Sequence, residues 1–267
     1  MNKLVSNSSP VKRFPDPRKV RGDAPLTIDT DLSVAALLEA YRLGFYPKPE
    51  SALDQVTWWC PDPRTVLFLN DFKPSRSLRK SVKNRNYSVT LNQAFGRVIQ
   101  QCAERLPPKK FSFAVPDNIM EQRKLDWLLD YHKAGQLRVD YQEGVMTLEC
   151  ETREQSYEIF GPLPTWISQE IIDAYQELHR HGHAHSVETW HDGNLVGGLY
   201  GVSLGRIFFG ESMFSLMSDA SKVALYHLTR HLRHSGFELI DCQEPTPLLF
   251  SLGAREISRN SYLDILE

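Results

Sequence analysis

Residues 182–215 read GHAHSVETWHDGNLVGGLYGVSLGRIFFGESMFS, polar and apolar positions alternating as they do along a strand meander. Two polar residues, Glu211 and Ser212, interrupt its aromatic final stretch. Downstream, Asp241, Cys242 and Gln243 follow the apolar lead of Phe237, Leu239 and Ile240. On a regular strand a carboxylate and an amide two positions apart share a face, roughly 7 Å from each other. Polar side chains set into two core-like strands mark a candidate site. The plainer alternative is a strand end where such groups satisfy nearby backbone.

Before the meander, residues 165–181 predict a helix capped by Ser168, with Gln169 and Glu170 in its first turn. After it come a helix over 220–234 closed by Gly236, the strand FELIDCQ (237–243), then a helix and a strand. This order is α+β. Toward the amino terminus, residues 1 to about 24 are rich in Pro, Ser and charge and predict an extended or disordered arm. Asp31-Leu32-Ser33 then opens a helix with Leu32, Ala35, Ala36, Leu38, Ala40, Tyr41 and Leu43 on its apolar stripe, and Gly44 ends it. VTWWCPDPRTVLFLN (56–70) reads as a strand broken at Pro61 and Pro63 and a second alternating strand. Residues 1–87 are thus expected to form a small α/β domain and 88–267 a larger one. Within the larger one, 91–102 predicts an amphipathic helix, about 117–133 another, and LRVDY with VMTLECE a hairpin through Gln142, Glu143 and Gly144.

The 267 residues, with 41% hydrophobic content and a net charge of −2, fit one large core with a smaller satellite. Near-neutrality excludes a uniformly basic coat but not a local patch. KPSRSLRKSVKNR (73–85) holds no acidic residue, and on a helix from Ser75 the side chains of Arg76, Arg79, Lys80 and Lys83 form one positive stripe. That stripe is either a solvated face or a phosphate-binding one. Cys60, Cys102, Cys150 and Cys242 lack CxxC spacing, which points away from a zinc ribbon or a disulfide framework. The polar start MNKLVSNSSP lacks a signal-peptide core, so a cytoplasmic protein with reduced thiols is expected. His181, His183 and His185 would share a strand face, but no carboxylate or cysteine stands at a partner spacing. They read as core or capping histidines, and no metal is expected.

The segments AYRLGFYP (40–47), WWCPDPR (58–64), GHAHSVETW (182–190), LVGGLYGVSLGRIFFGESMFS (195–215), ASKVAL (220–225), LIDCQ (239–243) and SLGAREISRNSYL (251–263) recur in order along most of the chain. Together they resemble the motifs of the bacterial leucyl/phenylalanyl-tRNA–protein transferase family. The resemblance implies a GNAT-like acyltransferase fold for 88–267; it fades between Arg105 and Pro164, the largest departure in the chain, where the helix and hairpin form an insert (about 105–163) in place of a short family loop. It implies transfer of Leu or Phe, less readily Met, from aminoacyl-tRNA to the amino-terminal Arg or Lys of acceptor proteins, creating a degradation signal without a cofactor. By the same resemblance Asp241 and Gln243 stand at the acceptor amine, Gln243 touching the nitrogen and Asp241 polarising Gln243. Glu211 would meet the acceptor's cation; within the chain, Arg206, Lys222 or Arg255 are the competing partners. Leu199, Phe208, Met213, Leu225 and Ile240 would line the aminoacyl pocket, with Trp166 on the terminal adenine, although each also suits an ordinary core. The basic stripe becomes a tRNA contact. Trp58 and Trp59 are packing residues or a stacking platform.

This chain departs from the family pattern at Lys48, where a Trp is usual, and over Glu244–Phe250, with Thr246 at an Asn position and Leu248 at a His position. The departures bear on acceptor specificity. Two other readings stay open. An acyl-CoA-dependent N-acetyltransferase should carry a glycine-rich pyrophosphate loop, which SLMSDASKVAL (215–225) lacks. A non-catalytic binder of tRNA or of protein amino termini would not need Asp241, Gln243 and Glu211.

Overall fold

The meander forms three long antiparallel strands, β10 (Ala184–His191), β11 (Asn194–Leu204) and β12 (Ile207–Ser215). Its first turn, Asp192-Gly193, has φ of 48° and 76° at the two positions, the doubly left-handed geometry that matches strand twist in a two-residue hairpin. The computed structural model describes residues 13–20, 27–28, 31–50, 55–104, 110–114, 137–142, 145–150, 156–159 and 167–267.

A helix, Ala220–His234, leaves β12 and returns the chain to strand β13 (Leu239–Gln243), which pairs with β12 in parallel. A parallel neighbour demands such a crossover, since a tight turn only reverses direction. The far side of β13 takes β4 (Arg64–Phe68), which in turn takes β14 (Arg255–Ile257). Strand β5 (Ser88–Leu91) closes the other edge, giving a seven-stranded mixed sheet in the order β14-β4-β13-β12-β11-β10-β5. A second sheet of three strands orders β1 (Thr27–Ile28), β3 (Gln55–Trp59) and β2 (Tyr46–Glu50) as β1-β3-β2. The architecture is α+β, as the element order predicts.

Helices cover the seven-stranded sheet, and their ends follow from capping. α1 (Val34–Arg42) is capped by Ser33, α2 (Arg76–Asn84) by Ser75, and α4 (Gln169–Arg180) by Ser168, each side-chain oxygen accepting a main-chain N–H from the first turn. The remaining helices are α3 (Phe95–Ala103), α5 (Ala220–His234), α6 (Pro247–Ser251) and α7 (Arg259–Leu266). The core beneath α5 joins Val187, Leu199, Phe208 and Ile240 of the sheet to Val223, Ala224, Leu225, Leu228 and Leu232 of the helix. On the opposite face Tyr200 packs edge-on against Tyr175 of α4, and Phe209 against Tyr41 of α1.

Two expectations need correction. Residue 91 ends a strand instead of opening a helix, because Asn92 turns left-handed at φ 58° and its carbonyl side chain accepts from Ser186 N. The following helix starts at Phe95, where Glu188 accepts from Ala94 N. Part of the amino-terminal arm is also packed: Phe14 is buried against Phe45 and Trp58, with ring centroids 5.3 and 5.1 Å away.

The chain divides into two compact units, one of residues 1–50, 54–102 and 167–267, the other of 51–53 and 103–166. The second holds a four-stranded sheet, β7-β8-β6-β9, from β6 (Lys110–Ala114), β7 (Leu137–Gln142), β8 (Val145–Cys150) and β9 (Ser156–Ile159). β7 and β8 form the expected hairpin, antiparallel from Leu137↔Cys150 to Gln142↔Val145. The helix expected over about 117–133 lies outside the described residues. No helix among the described residues is long and apolar enough to cross a membrane, and Cys60, Cys102 and Cys242 are free thiols.

Candidate active site

β12 and β13 run side by side only through Ile207↔Leu239, Phe208↔Ile240 and Phe209↔Asp241. Beyond that point both strands are irregular. The β11–β12 register shifts between Tyr200 and Gly201, which leaves Glu211 as the extra residue opposite them, and the β13–β4 register shifts between Asp241 and Gln243. The first bulge depends on glycine: a Cβ at Gly201 would stand 2.1 Å from the Phe209 carbonyl oxygen. The second places Gln243 at φ 62°, a left-handed conformation that costs a non-glycine residue on the order of 1–3 kcal/mol and concentrates at functional sites. The result is a fork in the sheet, bridged by a hydrogen bond of 2.9 Å from Gln243 Nε2 to Glu211 Oε1.

Glu211 is buried, and no cation among the described residues holds it. Tyr41 Oη donates to Oε1 at 2.8 Å and Tyr175 Oη to Oε2 at 3.1 Å, while the two hydroxyls lie 2.5 Å apart. Burial pushes the Glu211 carboxyl up to about 7, against the opposing pull of those two hydroxyls and the Gln243 amide. The three cations that compete for it within the chain are engaged elsewhere: Arg206 with Glu238, Lys222 with Asp219 and Arg255 with Asp71.

Asp241 sits behind Gln243 in a different setting. Arg64 grips it with two bonds, Nε to Oδ1 at 2.8 Å and Nη2 to Oδ2 at 2.6 Å, and both side chains are fully buried. Tyr262 Oη donates to Oδ2 at 2.8 Å. The guanidinium lies between the rings of Tyr46 and Tyr262, 4.7 and 4.8 Å from their centroids, an arrangement suited to Arg because its planar cation is weakly hydrated and stacks. Asp241 Oδ1 also accepts from the Gln243 main-chain N–H at 2.9 Å. The carboxylate therefore fixes the strained backbone of Gln243.

A family model described as leucyl/phenylalanyl-tRNA protein transferase matches residues 66–111 and 115–267, and the model of that family's N-terminal domain matches 30–62. The chain belongs to the leucyl/phenylalanyl-tRNA–protein transferase family. Curated transferases of that name agree: the one from Syntrophobacter fumaroxidans is 41% identical over 253 residues, covering 95% of this chain and 86% of its own. Those from Nitrosospira multiformis and Pseudomonas fluorescens are each 41% identical, covering 89% and 88% of this chain and 79% and 80% of theirs. Enzymes of this family are aminoacyltransferases. Among solved structures, the C-terminal domain of a putative lysylphosphatidylglycerol synthetase from Agrobacterium fabrum aligns over 83% of this chain and 56% of that one, with 10% identity and a TM-score of 0.32, too low to assign a fold.

Within this family member, the residues singled out from sequence fall into distinct groups. Asp241 and Gln243 are adjacent, but the bulge ends their shared-face relation. The Gln243 amide turns to Glu211, so polarisation of that side chain by Asp241 is corrected to support of its main chain. Leu199, Phe208, Leu225 and Ile240 do come together, in one buried cluster with Met213 packed against it, on the α5 side of the sheet. Trp166 lies outside the described residues. Arg76, Arg79, Lys80 and Lys83 are all exposed on α2, whose Leu78 and Ser81 face inward. Trp58 is fully buried and packs, whereas Trp59 is partly exposed with the Lys48 ammonium 5.4 Å above its ring. Lys48 also pairs with Glu244 at 2.8 Å, linking two of the positions that depart from the family pattern. Thr246 caps α6, and Leu248 packs against the α5-side cluster. His181 meets the Glu177 carbonyl at the end of α4, and His185 meets Asn92 and Ser203.

Arg64, Tyr41, Tyr175 and Tyr262 complete the site and are not singled out by sequence reading. Arg64 offers the same signal that flags Glu211, a lone charge in a strand of otherwise uncharged, mostly apolar residues. The tyrosines offer none, since each occupies an ordinary apolar position of its helix.

Proposed function

We propose that the chain transfers Leu or Phe, and less readily Met, from aminoacyl-tRNA to the amino-terminal Arg or Lys of acceptor proteins. The observation that carries this reading is Glu211: a buried carboxylate with no cation among the described residues, at a fork in the sheet, joined to a glutamine in a strained conformation. Such a group is costly unless a cationic ligand arrives, and the acceptor brings its terminal ammonium and a basic side chain. The ester of aminoacyl-tRNA is already activated, so the site need only align the amine with its carbonyl, which is worth on the order of 7 kcal/mol or more at best. Gln243 takes the orienting role, since an amide at neutral pH donates and accepts hydrogen bonds but is no base. Asp241, locked to Arg64, holds Gln243 in place.

The apolar cluster of Leu199, Phe208, Met213, Leu225 and Ile240 supplies the greasy wall for the aminoacyl side chain. An apolar wall discriminates by roughly 1–3 kcal/mol per methylene and rejects Met only weakly. Trp166 is the proposed adenine contact, and the exposed stripe Arg76, Arg79, Lys80 and Lys83 the proposed tRNA contact. The product carries a new amino-terminal Leu or Phe, which serves as a degradation signal in the cytoplasm. Against a CoA-dependent acetyltransferase stands Asp219, a carboxylate at the N-cap of α5 in left-handed conformation, where a pyrophosphate would need bare N–H groups. The test is one incubation of purified protein with a peptide beginning with Arg and either Phe-tRNA or acetyl-CoA. Transfer of Phe supports the reading; acetylation, or tRNA binding without transfer, refutes it.

A further inference from the structure

We infer that Tyr41, Glu211 and Tyr175 form a proton-accepting trio in which Glu211 takes one proton from the acceptor's terminal ammonium before the amine attacks. The inference rests on the transferase reading above for the identity of the ammonium. Its basis is a count of protons. Three oxygen pairs in the trio lie within hydrogen-bond distance: Tyr41 with Glu211 at 2.8 Å, Tyr175 with Glu211 at 3.1 Å, and Tyr41 with Tyr175 at 2.5 Å. Each contact needs one proton between its oxygens, yet the two hydroxyls supply two. While Glu211 is a carboxylate, one contact sets lone pair against lone pair. Protonation of Glu211 supplies the third proton and satisfies the ring. Gln243 Nε2 donates to Oε1 in either state, which ties the ring to the residue that orients the amine.

The surroundings favour a neutral ring. Tyr200 of β11, Phe209 of β12 and Tyr46 of β2 face it without adding charge at neutral pH; the nearby carboxylate of Asp241 on β13 is neutralised by Arg64 of β4, and that of Glu244, beyond Tyr46, is paired with Lys48. Glu211 is 9% exposed as a whole residue, and the step requires the acceptor amine to reach its carboxyl through the fork between β12 and β13. Burial holds its carboxyl at about 7, close to the roughly 7.7–8.0 of a free α-amino group. Proton transfer between the two is therefore nearly isoenergetic. It also converts a buried ion pair into two neutral groups, which a dry site favours.

The step balances as follows. An N–H bond of the ammonium breaks and an O–H bond forms on Glu211, giving a neutral amine and a neutral acid. The amine lone pair attacks the ester carbonyl, a C–N bond forms, and the bond from carbonyl carbon to ribose oxygen breaks. A second amine proton leaves with that oxygen as the ribose hydroxyl. Glu211 then returns its proton to water. Glu211 acts directly on the substrate, while Tyr41 and Tyr175 are positioning residues that act through it.

Two measurements on the whole chain test this. Infrared titration of the free protein should show a protonated carboxyl band, absent from Glu211→Gln, that disappears with a midpoint near 7. The pH profile of kcat/KM with an Arg-peptide should be bell-shaped, rising as Glu211 ionises and falling as the acceptor ammonium does. Glu211→Gln should lower the rate at neutral pH about a hundredfold or more and leave only a rise with the amine's own ionisation. Tyr41→Phe and Tyr175→Phe each remove a donor to the carboxylate and also the contact that sets lone pair against lone pair, so the infrared midpoint should shift and the rising limb should shift with it by the same amount. A missing band overturns the trio whether or not transfer occurs. A band whose midpoint moves while the kinetic limb stays fixed overturns the proton transfer alone. Absence of any transfer by the unaltered protein removes the transferase reading and this step with it.

Discussion

Replacing Asp241 by Asn keeps the shape of the side chain and one acceptor for the Gln243 N–H, but leaves the Arg64 guanidinium without its counter-charge. Both partners are fully buried and joined by bonds of 2.8 and 2.6 Å. Breaking such a pair from one side costs about 3–5 kcal/mol, because an uncompensated charge stays in a low-dielectric interior. Against a typical total of about 5–15 kcal/mol that is a large share, and it corresponds to a fall in Tm of roughly 6–20 °C. Arg64→Met should cost a comparable amount. The double variant Arg64→Met, Asp241→Leu should recover most of it, since the rings of Tyr46 and Tyr262 then enclose apolar groups. Urea unfolding of the wild type, of Asp241→Asn, Asp241→Leu and Arg64→Met singly, and of the double variant gives the stabilities, and transfer assays below the lowered Tm give the activities. Two results would refute the reasoning: wild-type unfolding of Asp241→Asn, or costs of Arg64→Met and Asp241→Leu that simply add in the double variant. Either would return Asp241 to a direct chemical role.

Gln243→Ala should reduce kcat/KM strongly while shifting the unfolding midpoint by about 1 kcal/mol or less, because Glu211 keeps both tyrosine donors; equal loss of stability and activity would make Gln243 a structural residue. Stability should also depend on Glu211. Its carboxyl is raised from 4.5 to about 7, so the native chain binds the extra proton between those values. The contribution is fully present below pH 4.5 and lost as pH climbs through about 7, by about 3 kcal/mol in all. Glu211→Gln should flatten that decline in urea titrations across the window; an unchanged slope would place the titration elsewhere. Replacing Arg76, Arg79 and Lys80 by Gln should weaken tRNA binding and lower the salt slope by about one unit per lost phosphate contact; unaltered binding would make α2 a plain solvated face.

The meander and α5 were legible because strict alternation, an Asp-Gly turn and a capped amphipathic run are local signals. Leu91 misled because its pattern fits a helix, while the choice between strand and helix is made by Asn92 and by Glu188, almost a hundred residues away. The polar intrusions at Glu211 and at Asp241 with Gln243, picked out on two separate strands, lie together at the fork. The direction of the Gln243 amide did not follow, because a bulge resets the alternation on which the shared-face argument rests. The partners were hidden for the same reason: Arg64, Tyr41, Tyr175 and Tyr262 reach the fork from four separate segments, and only tertiary pairing brings them together.

The span between Arg64 and Asp241 is 177 residues, and this shapes how the protein comes into being. At a synthesis rate of about 5–20 residues per second, the guanidinium emerges from the ribosome roughly 10–35 s before the carboxylate that neutralises it. Until then β4 lacks its central neighbour, and the cation must stay hydrated. Tyr262 follows 21 residues after Asp241, so a chain that stops before Asp241 carries neither the clasp nor the fork, and one that stops between the two leaves Asp241 without its tyrosine donor.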